Sequence, residues 1–431
     1  MPGIAGGAAR RALPYAAVLA RSGEYRGAPR PSRPRRPDEG RTGGRLPGQR
    51  PVAAQKSRLR GGHLPGLERG PVPSGLHRER FRRIRGAGPP QPARADETGA
   101  RGTRLTALGP SVRDSTERLI ADLPTDRPVD IPFEMSRLVA GLVIETVLNS
   151  AISPDTLTRL ARARSVLSAG VFWRYALSPW PWVPTPRRRA FRRALATLDE
   201  AAREVYVRHR PDADGNDVVS LLKRSTDDRP DAALHDVRAL LFAGVEATAS
   251  TFAWACYELD RHPDHQTAIR AEADAVLGTE APADAAQHRL LPRTAGFVSE
   301  VTRLHGIPFL VRRPRHEASV GDHPVPAGAL VTLPLGALRR DPARYARPEE
   351  FDPLRWAPEA RPPLSPAALF PYGLGPRYCP GAAASEIMVP VALASLVRSR
   401  TLRTAPSGRT VRVSLELTPM PKGLTMVAAP R

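Results

Sequence analysis

The sequence predicts a mainly α protein with a minor β component, an α+β chain, on three observations. From Val112 onward, apolar residues recur at helical spacing in long segments separated by short turns. His235 to Leu259 reads as one continuous apolar helix. Period-two alternation appears only near the C-terminus, where Val411, Val413, Leu415 and Leu417 alternate with Arg412, Ser414 and Glu416 behind a Ser-Gly turn.

Taken in order, residues 1–110 carry 34 Gly and Pro, close to 31%, and almost no helical or strand periodicity. That composition lies at the threshold for low-complexity, disordered chain. Its Arg/Gly/Pro/Ala bias is also what a GC-rich coding sequence yields out of frame. A reading-frame artefact, a natural frameshift and a disordered extension therefore all remain open. The ordered part is expected over 111–431. Within it, Met135, Leu138, Val139, Leu142, Val143 and Val147 mark one buried helical face. The next element is not defined by its pattern: Trp173, Trp180 and Trp182 fall in a Pro-punctuated stretch ending at Pro186. Arg187 to Arg208 then reads as a charged surface helix. No repeat of 20–50 residues is visible.

Composition excludes several classes. The 431-residue chain has a formal charge of +22, yet 23 Lys and Arg against 7 Asp and Glu within residues 1–110 account for sixteen of those charges. The remainder is only mildly basic, and the basic arm lacks the interleaved aromatics of a nucleic-acid binder, so no nucleic-acid partner is expected. Two cysteines, Cys256 and Cys379, are too few for a disulfide framework and fit no zinc spacing. A reducing cytoplasm is the natural setting, and no run of about 18 consecutive apolar residues announces a membrane span.

The sharpest local feature is Tyr372-Gly373-Leu374-Gly375-Pro376-Arg377-Tyr378-Cys379-Pro380-Gly381, followed by the helix-forming run Ala382 to Leu396. A cysteine before a helix N-terminus, with Arg377 two residues away, sits where positive potential favours the thiolate, a nucleophile or metal ligand. Glycines there let the backbone approach a flat macrocycle. This segment resembles the cysteine-ligand loop of cytochromes P-450, Phe-x-x-Gly-x-Arg-x-Cys-x-Gly. Gly375, Arg377, Cys379 and Gly381 match it, whereas Tyr372 replaces the Phe that shields the sulfur.

Three further segments fall in the order this resemblance implies. Glu300 and Arg303 lie at i, i+3 on one helical face, and Arg355 follows in Phe351-Asp352-Pro353-Leu354-Arg355-Trp356, 24 residues before Cys379. They resemble the family's Glu-Arg-Arg core, a structural cluster. Ala243-Gly244-Val245-Glu246-Ala247-Thr248 resembles its oxygen-activation motif. Gly244 would then clear space for a haem edge and dioxygen, and Glu246 would relay protons. Ala247 stands where the family places a Thr, and Thr248 comes one residue later, about 100° round the helix. Arg312 aligns with the residue that pairs a haem propionate, Arg313 being the competing assignment, with Phe309 and Leu310 facing substrate. His77, Arg82 and Arg83 faintly resemble the upstream propionate pair. Cys256 reads as a small buried apolar residue.

The resemblance thus implies a haem-thiolate fold around haem b, iron protoporphyrin IX, with Cys379 as axial ligand. It implies a monooxygenase inserting one atom of O2 into an apolar small molecule. Electrons from NAD(P)H would arrive through a separate ferredoxin and ferredoxin reductase, since no flavin or iron–sulfur segment is visible. Two other readings stay open. A degenerate, inactive homologue would result if residues 1–110 replace the family's lid and propionate-clamping helices. A haem domain carrying a basic binding arm is the second.

Overall fold

The computed structural model describes residues 100–431, apart from 177–184, 213–214, 226–229, 279–286, 358, 361–368, 374–377, 406–409 and 415. The chain divides into two units, Met1–Leu76 and His77–Arg431, and every described residue belongs to the second. His77, Arg82, Arg83, Trp180, Trp182, Gly375 and Arg377 lie outside the described residues.

Helices dominate, as the periodicity predicts. The first, α1 (Ala100–Ala121), starts ahead of the composition change near Val112, because Gly102, Gly109 and the internal Pro110 hide its pattern. A two-residue strand, β1 (Val129–Asp130), leads into α2 (Ile131–Leu142). Asp130 caps α2 by accepting the Phe133 N–H at 3.0 Å, with Pro132 and Glu134 in the first turn. The helix loosens into a π turn at Val143–Val147, and the chain reverses at Asn149, φ 45°.

Next come α3 (Pro154–Ala176) and α4 (Pro186–Val207), packed side by side. Trp173 is part of α3, a helix whose weak amphipathic pattern left it unread in the sequence. Thr185 caps α4 with Pro186 at its first position. A short α5 (Val218–Ser225) precedes α6 (Pro230–Arg261), longer at both ends than its apolar run. Then follow α7 (Pro263–Leu277) and α8 (Pro292–His305). After small strands and α9 (Leu335–Leu338), α10 (Ala382–Ser399) closes the helical core against α1, α7 and α8.

By length and composition α6 and α10 could each cross a membrane, yet more than half of each apolar window is buried inside the protein. Phe252 and Trp254 on α6 and Phe297 on α8 are at most 2% exposed, each burial contributing roughly 1.5–3 kcal/mol.

The β content is small and antiparallel. Strands β2 (Leu310–Arg312) and β5 (Val331–Leu333) pair, as do β3 (Ala318–Val320) and β4 (His323–Val325). A three-stranded sheet is ordered β1-β9-β6, with β6 (Arg400–Thr404) and β9 (Thr425–Pro430) forming the long pair. The alternating segment after Val411 is mostly not strand: β7 covers only Arg412–Val413, paired with β8 (Pro421–Lys422). Beyond Val413 the chain turns toward α6. Ser250 Oγ and Trp254 Nε1 both donate to the Pro419 carbonyl, at 2.6 and 2.9 Å, and Thr418 reaches Glu246. Side chains of the central helix therefore take up the polar groups that a longer hairpin would pair.

Candidate functional site

The cysteine-bearing segment is held from several directions. Cys379 is partly exposed at the approach to α10, and its N–H donates to the Tyr372 carbonyl at 3.0 Å. Gly373 adopts φ 72°, a conformation that favours glycine, with open space where a Cβ would stand. A Cβ at Gly381 would lie 3.9 Å from Cys379 Sγ, so the two face the same space. Burial pushes the Tyr372 phenol up to about 12, even with Ser385 hydrogen-bonded to it. The hydroxyl therefore stays protonated at neutral pH and adds no second negative charge beside the sulfur. Cys256, by contrast, is fully buried, and burial pushes its thiol up to about 12, in keeping with a core side chain.

Glu300, Arg303 and Arg355 come together as the family resemblance implies. The Glu300 carboxylate is fully enclosed and accepts five hydrogen bonds: Arg303 Nε at 2.9 Å and its terminal nitrogen at 2.8 Å, Arg355 Nε at 2.9 Å, Trp356 Nε1 at 2.9 Å and the Asp352 amide at 2.9 Å. Arg303 also donates to the carbonyls of Arg339, Pro348 and Glu350. Sequence reasoning missed Arg339, whose buried guanidinium donates to the Leu369 and Phe370 carbonyls at 2.8 and 3.2 Å and to those of Thr302 and Ile307 at 3.3 and 3.1 Å. Burial pushes it down to about 10, still cationic at neutral pH. It ties the end of α8 to the backbone just before Tyr372. No local motif marks it.

On α6, Glu246 is 3% exposed and belongs to a second polar cluster. One oxygen accepts Ser168 Oγ at 2.5 Å and the Thr418 amide at 3.0 Å, and the other accepts Thr418 Oγ1. Arg164 stands 4.0 Å away and is paired at 3.0 Å with Glu416, whose carboxyl burial pushes up. Ser168, Thr418, Arg164 and Glu416 were not foreseen, since 78 to 172 residues separate Ser168 and Thr418 from Glu246.

Gly244, Ala247 and Thr248 occupy different sides of α6. A Cβ on Gly244 would meet Val143 Cγ1 at 3.3 Å, so the glycine lies where α6 closely approaches the π turn at Val143. Thr248 is buried, whereas Ala239 and Ala243 are exposed and Ala247 is half-buried on a common side of the helix. Ala247 thus belongs to the uncovered face, and Thr248 is turned away from it.

Arg312 shares the half-buried face of β2 with Leu310, while Val311 and Arg313 are exposed. Phe309 lies 6.5 Å from Phe172, centroid to centroid. A half-exposed thiol beside Gly373 and Gly381, an uncovered alanine face on the central helix and a half-buried Arg312 fit a flat, anionic macrocycle. Among the described residues no cluster of three metal-ligating side chains offers a different centre.

A family model described as cytochrome P-450 matches residues 107–425. Over 317 residues the chain is 31% identical to cyclooctatin synthase of Streptomyces melanosporofaciens, an alignment covering 71% of this chain and 68% of that protein. It is 30% identical over 341 residues to cyclooctat-9-en-7-ol 5-monooxygenase of the same organism, covering 76% and 73%. It is 33% identical over 282 residues to the mitochondrial 25-hydroxyvitamin D-1 alpha hydroxylase of Homo sapiens, covering 62% and 55%. The crystal structure of the cytochrome P-450DA haem domain superimposes with a TM-score of 0.63 at 23% identity, covering 77% of this chain and 75% of that one, which shows the shared fold. On the family match and the monooxygenases among its relatives, the chain belongs to the cytochrome P-450 family and is a haem-dependent oxidoreductase.

Proposed function

We propose that the chain is a monooxygenase that inserts one atom of O2 into a C–H or C=C bond of an apolar small molecule, with Cys379 as the axial ligand of haem b. The observation that supports this most is the presentation of Cys379: a partly exposed thiol fixed through its own amide to Tyr372 at the approach to α10, while the other cysteine is sealed in the core. Haem with a thiolate ligand supplies activation of dioxygen by electron donation from sulfur.

The protein's residues bind, orient and protonate. Arg312 offers a guanidinium to a propionate from the inward face of β2. The Glu300, Arg303 and Arg355 cluster, with Arg339 behind it, fixes the backbone that carries Tyr372 and Cys379. Phe172 and Phe309 offer an apolar wall to substrate. Glu246 relays protons from solvent toward the oxygen chemistry. Its hydroxyl partners on Ser168 and Thr418 donate to the carboxylate and rotate to accept from the acid, so either protonation state is accommodated. Ala247 brings no hydroxyl to the uncovered face, so the final hydrogen bond comes from water or from a substrate hydroxyl. Electrons come from NAD(P)H through a ferredoxin and its reductase, and the protein works in the cytoplasm.

The test is the absorption spectrum of the purified protein, reduced and exposed to carbon monoxide. The Soret band characteristic of thiolate ligation is expected in the parent chain and absent in Cys379→Ala. Lack of that band in the parent would overturn the assignment and favour an inactive homologue.

A further inference from the structure

A cavity of about 1140 Å³ opens between α3 and α4, with the start of α2 and the segment around β8 completing its wall. It exceeds the usual range for small-molecule pockets, about 300–1,000 Å³. One face of α3 lines it through Arg162, Val166 and Trp173. One face of α4 does so through Arg188, Phe191, Arg192 and Leu195, at i, i+3, i+4 and i+7.

The charge is one-sided. Arg162, Arg164, Arg187, Arg188, Arg192 and Lys422 face the cavity against only Asp130 and Glu416. Both carboxylates are already engaged: Asp130 caps α2, and Glu416 pairs with Arg164 at 3.0 Å. Among the described residues the other five cations make no ion pair. Two of them lie over aromatic rings, Arg162 at 5.7 Å from the Phe133 centroid and Arg187 at 5.8 Å from that of Trp173. A concave surface with five unneutralised cations above aromatic and aliphatic walls matches a ligand having an anionic head and an apolar body.

We propose that this cavity binds an organic anion of that kind, a carboxylate or its like on an apolar frame. Guanidinium forks on α4 grip the head, and Trp173, Phe191 and Leu195 pack against the body. The site does not depend on the haem assignment.

Calorimetric titration of the full-length protein with decanoate tests it, with decanol and acetate as comparison probes. Saturable decanoate binding is expected, weakening as salt rises. It should weaken about tenfold or more in the Arg188→Ala/Arg192→Ala double variant, since the charge-assisted hydrogen bonds to the head are lost. Both side chains are exposed, so an unchanged melting temperature will show that the fold persists. Equal affinity for decanol would reduce the site to an apolar crevice and overturn the proposal. Equal affinity for acetate would do so by removing the role of the apolar wall. Decanoate affinity unaltered in the double variant would place the ligand elsewhere, with the same consequence.

Discussion

Glu300 and Glu246 are both sealed from solvent, 0% and 3% exposed, yet their surroundings differ in kind. Glu300 meets two guanidinium groups, an indole and a backbone amide, donors that cannot turn round to accept. Glu246 meets two hydroxyls and an amide, with its nearest guanidinium 4.0 Å away and already paired to Glu416. The first arrangement ties Glu300 to fixed donors that anchor backbone. The second surrounds Glu246 with hydroxyls that can either donate or accept. Burial alone therefore does not distinguish the two carboxylates, but the chemistry of their donors does.

The sharpest way to break this contrast is to delete Glu300. Glu300→Ala leaves Arg303 and Arg355 buried without a counter-charge and is expected to cost about 3–5 kcal/mol in chemical denaturation, with loss of haem uptake. A loss below about 1 kcal/mol would mean that the cluster is not the support described above.

A third carboxylate sharpens the comparison through pH. Burial pushes the Glu258 carboxyl up, but hydrogen bonds from His262 at 3.3 Å and His305 at 2.7 Å outweigh it and hold it down at about 2, against an ordinary 4.5. A depressed carboxyl stabilises the fold above its unfolded value. The contribution, on the order of 3 kcal/mol, is present above about pH 4.5 and is lost as pH falls toward about 2. Glu258→Gln should flatten the stability profile across that window. A variant that keeps the parent's acid transition would show that other groups set it.

Glu246→Gln retains the shape of the side chain and is expected to change stability by only about 1–2 kcal/mol, whereas product formed per O2 consumed should fall severalfold. Unchanged coupling would remove Glu246 from the proton route and make it a second Glu300. The smallest effect is expected at Gly244. Gly244→Ala gains about 1 kcal/mol of helix propensity and crowds Val143 at a cost of roughly 1–3 kcal/mol. The net loss should be about 1 kcal/mol, recovered in part by Val143→Ala, with no change in the haem spectrum. A spectral change without rescue would favour the cofactor-clearance reading.

Legibility in the sequence followed motif as much as distance along the chain. Glu300 and Arg303 share one helical face, and Arg355 follows 55 residues after Glu300 in the order that the family resemblance implies, so the resemblance rather than local spacing revealed the cluster. The partners of Glu246 come from α3 and from beyond Val413, and nothing in Ala243-Gly244-Val245-Glu246 announces them. The same long-range capture explains the misread strand: alternation through Leu417 was real, but Glu246 and α6 took the polar groups that a ladder would have used. Gly244 was legible as a close approach, and among the described residues the side chain it approaches is Val143. Helix α3 escaped notice because its apolar residues form no clean stripe.

The clasp between α6 and Thr418-Pro419 also has a consequence for biosynthesis. Its hydrogen bonds join positions 165 to 172 residues apart. A growing chain on the ribosome completes Pro230–Arg261 long before residue 419 leaves the exit tunnel. Until then Ser250 and Trp254 lack the Pro419 carbonyl, and Glu246 has Ser168 but not Thr418. The contacts of the central helix are thus completed only after Thr418 and Pro419 emerge, and nascent protein arrested before that point is the form more exposed to chaperones.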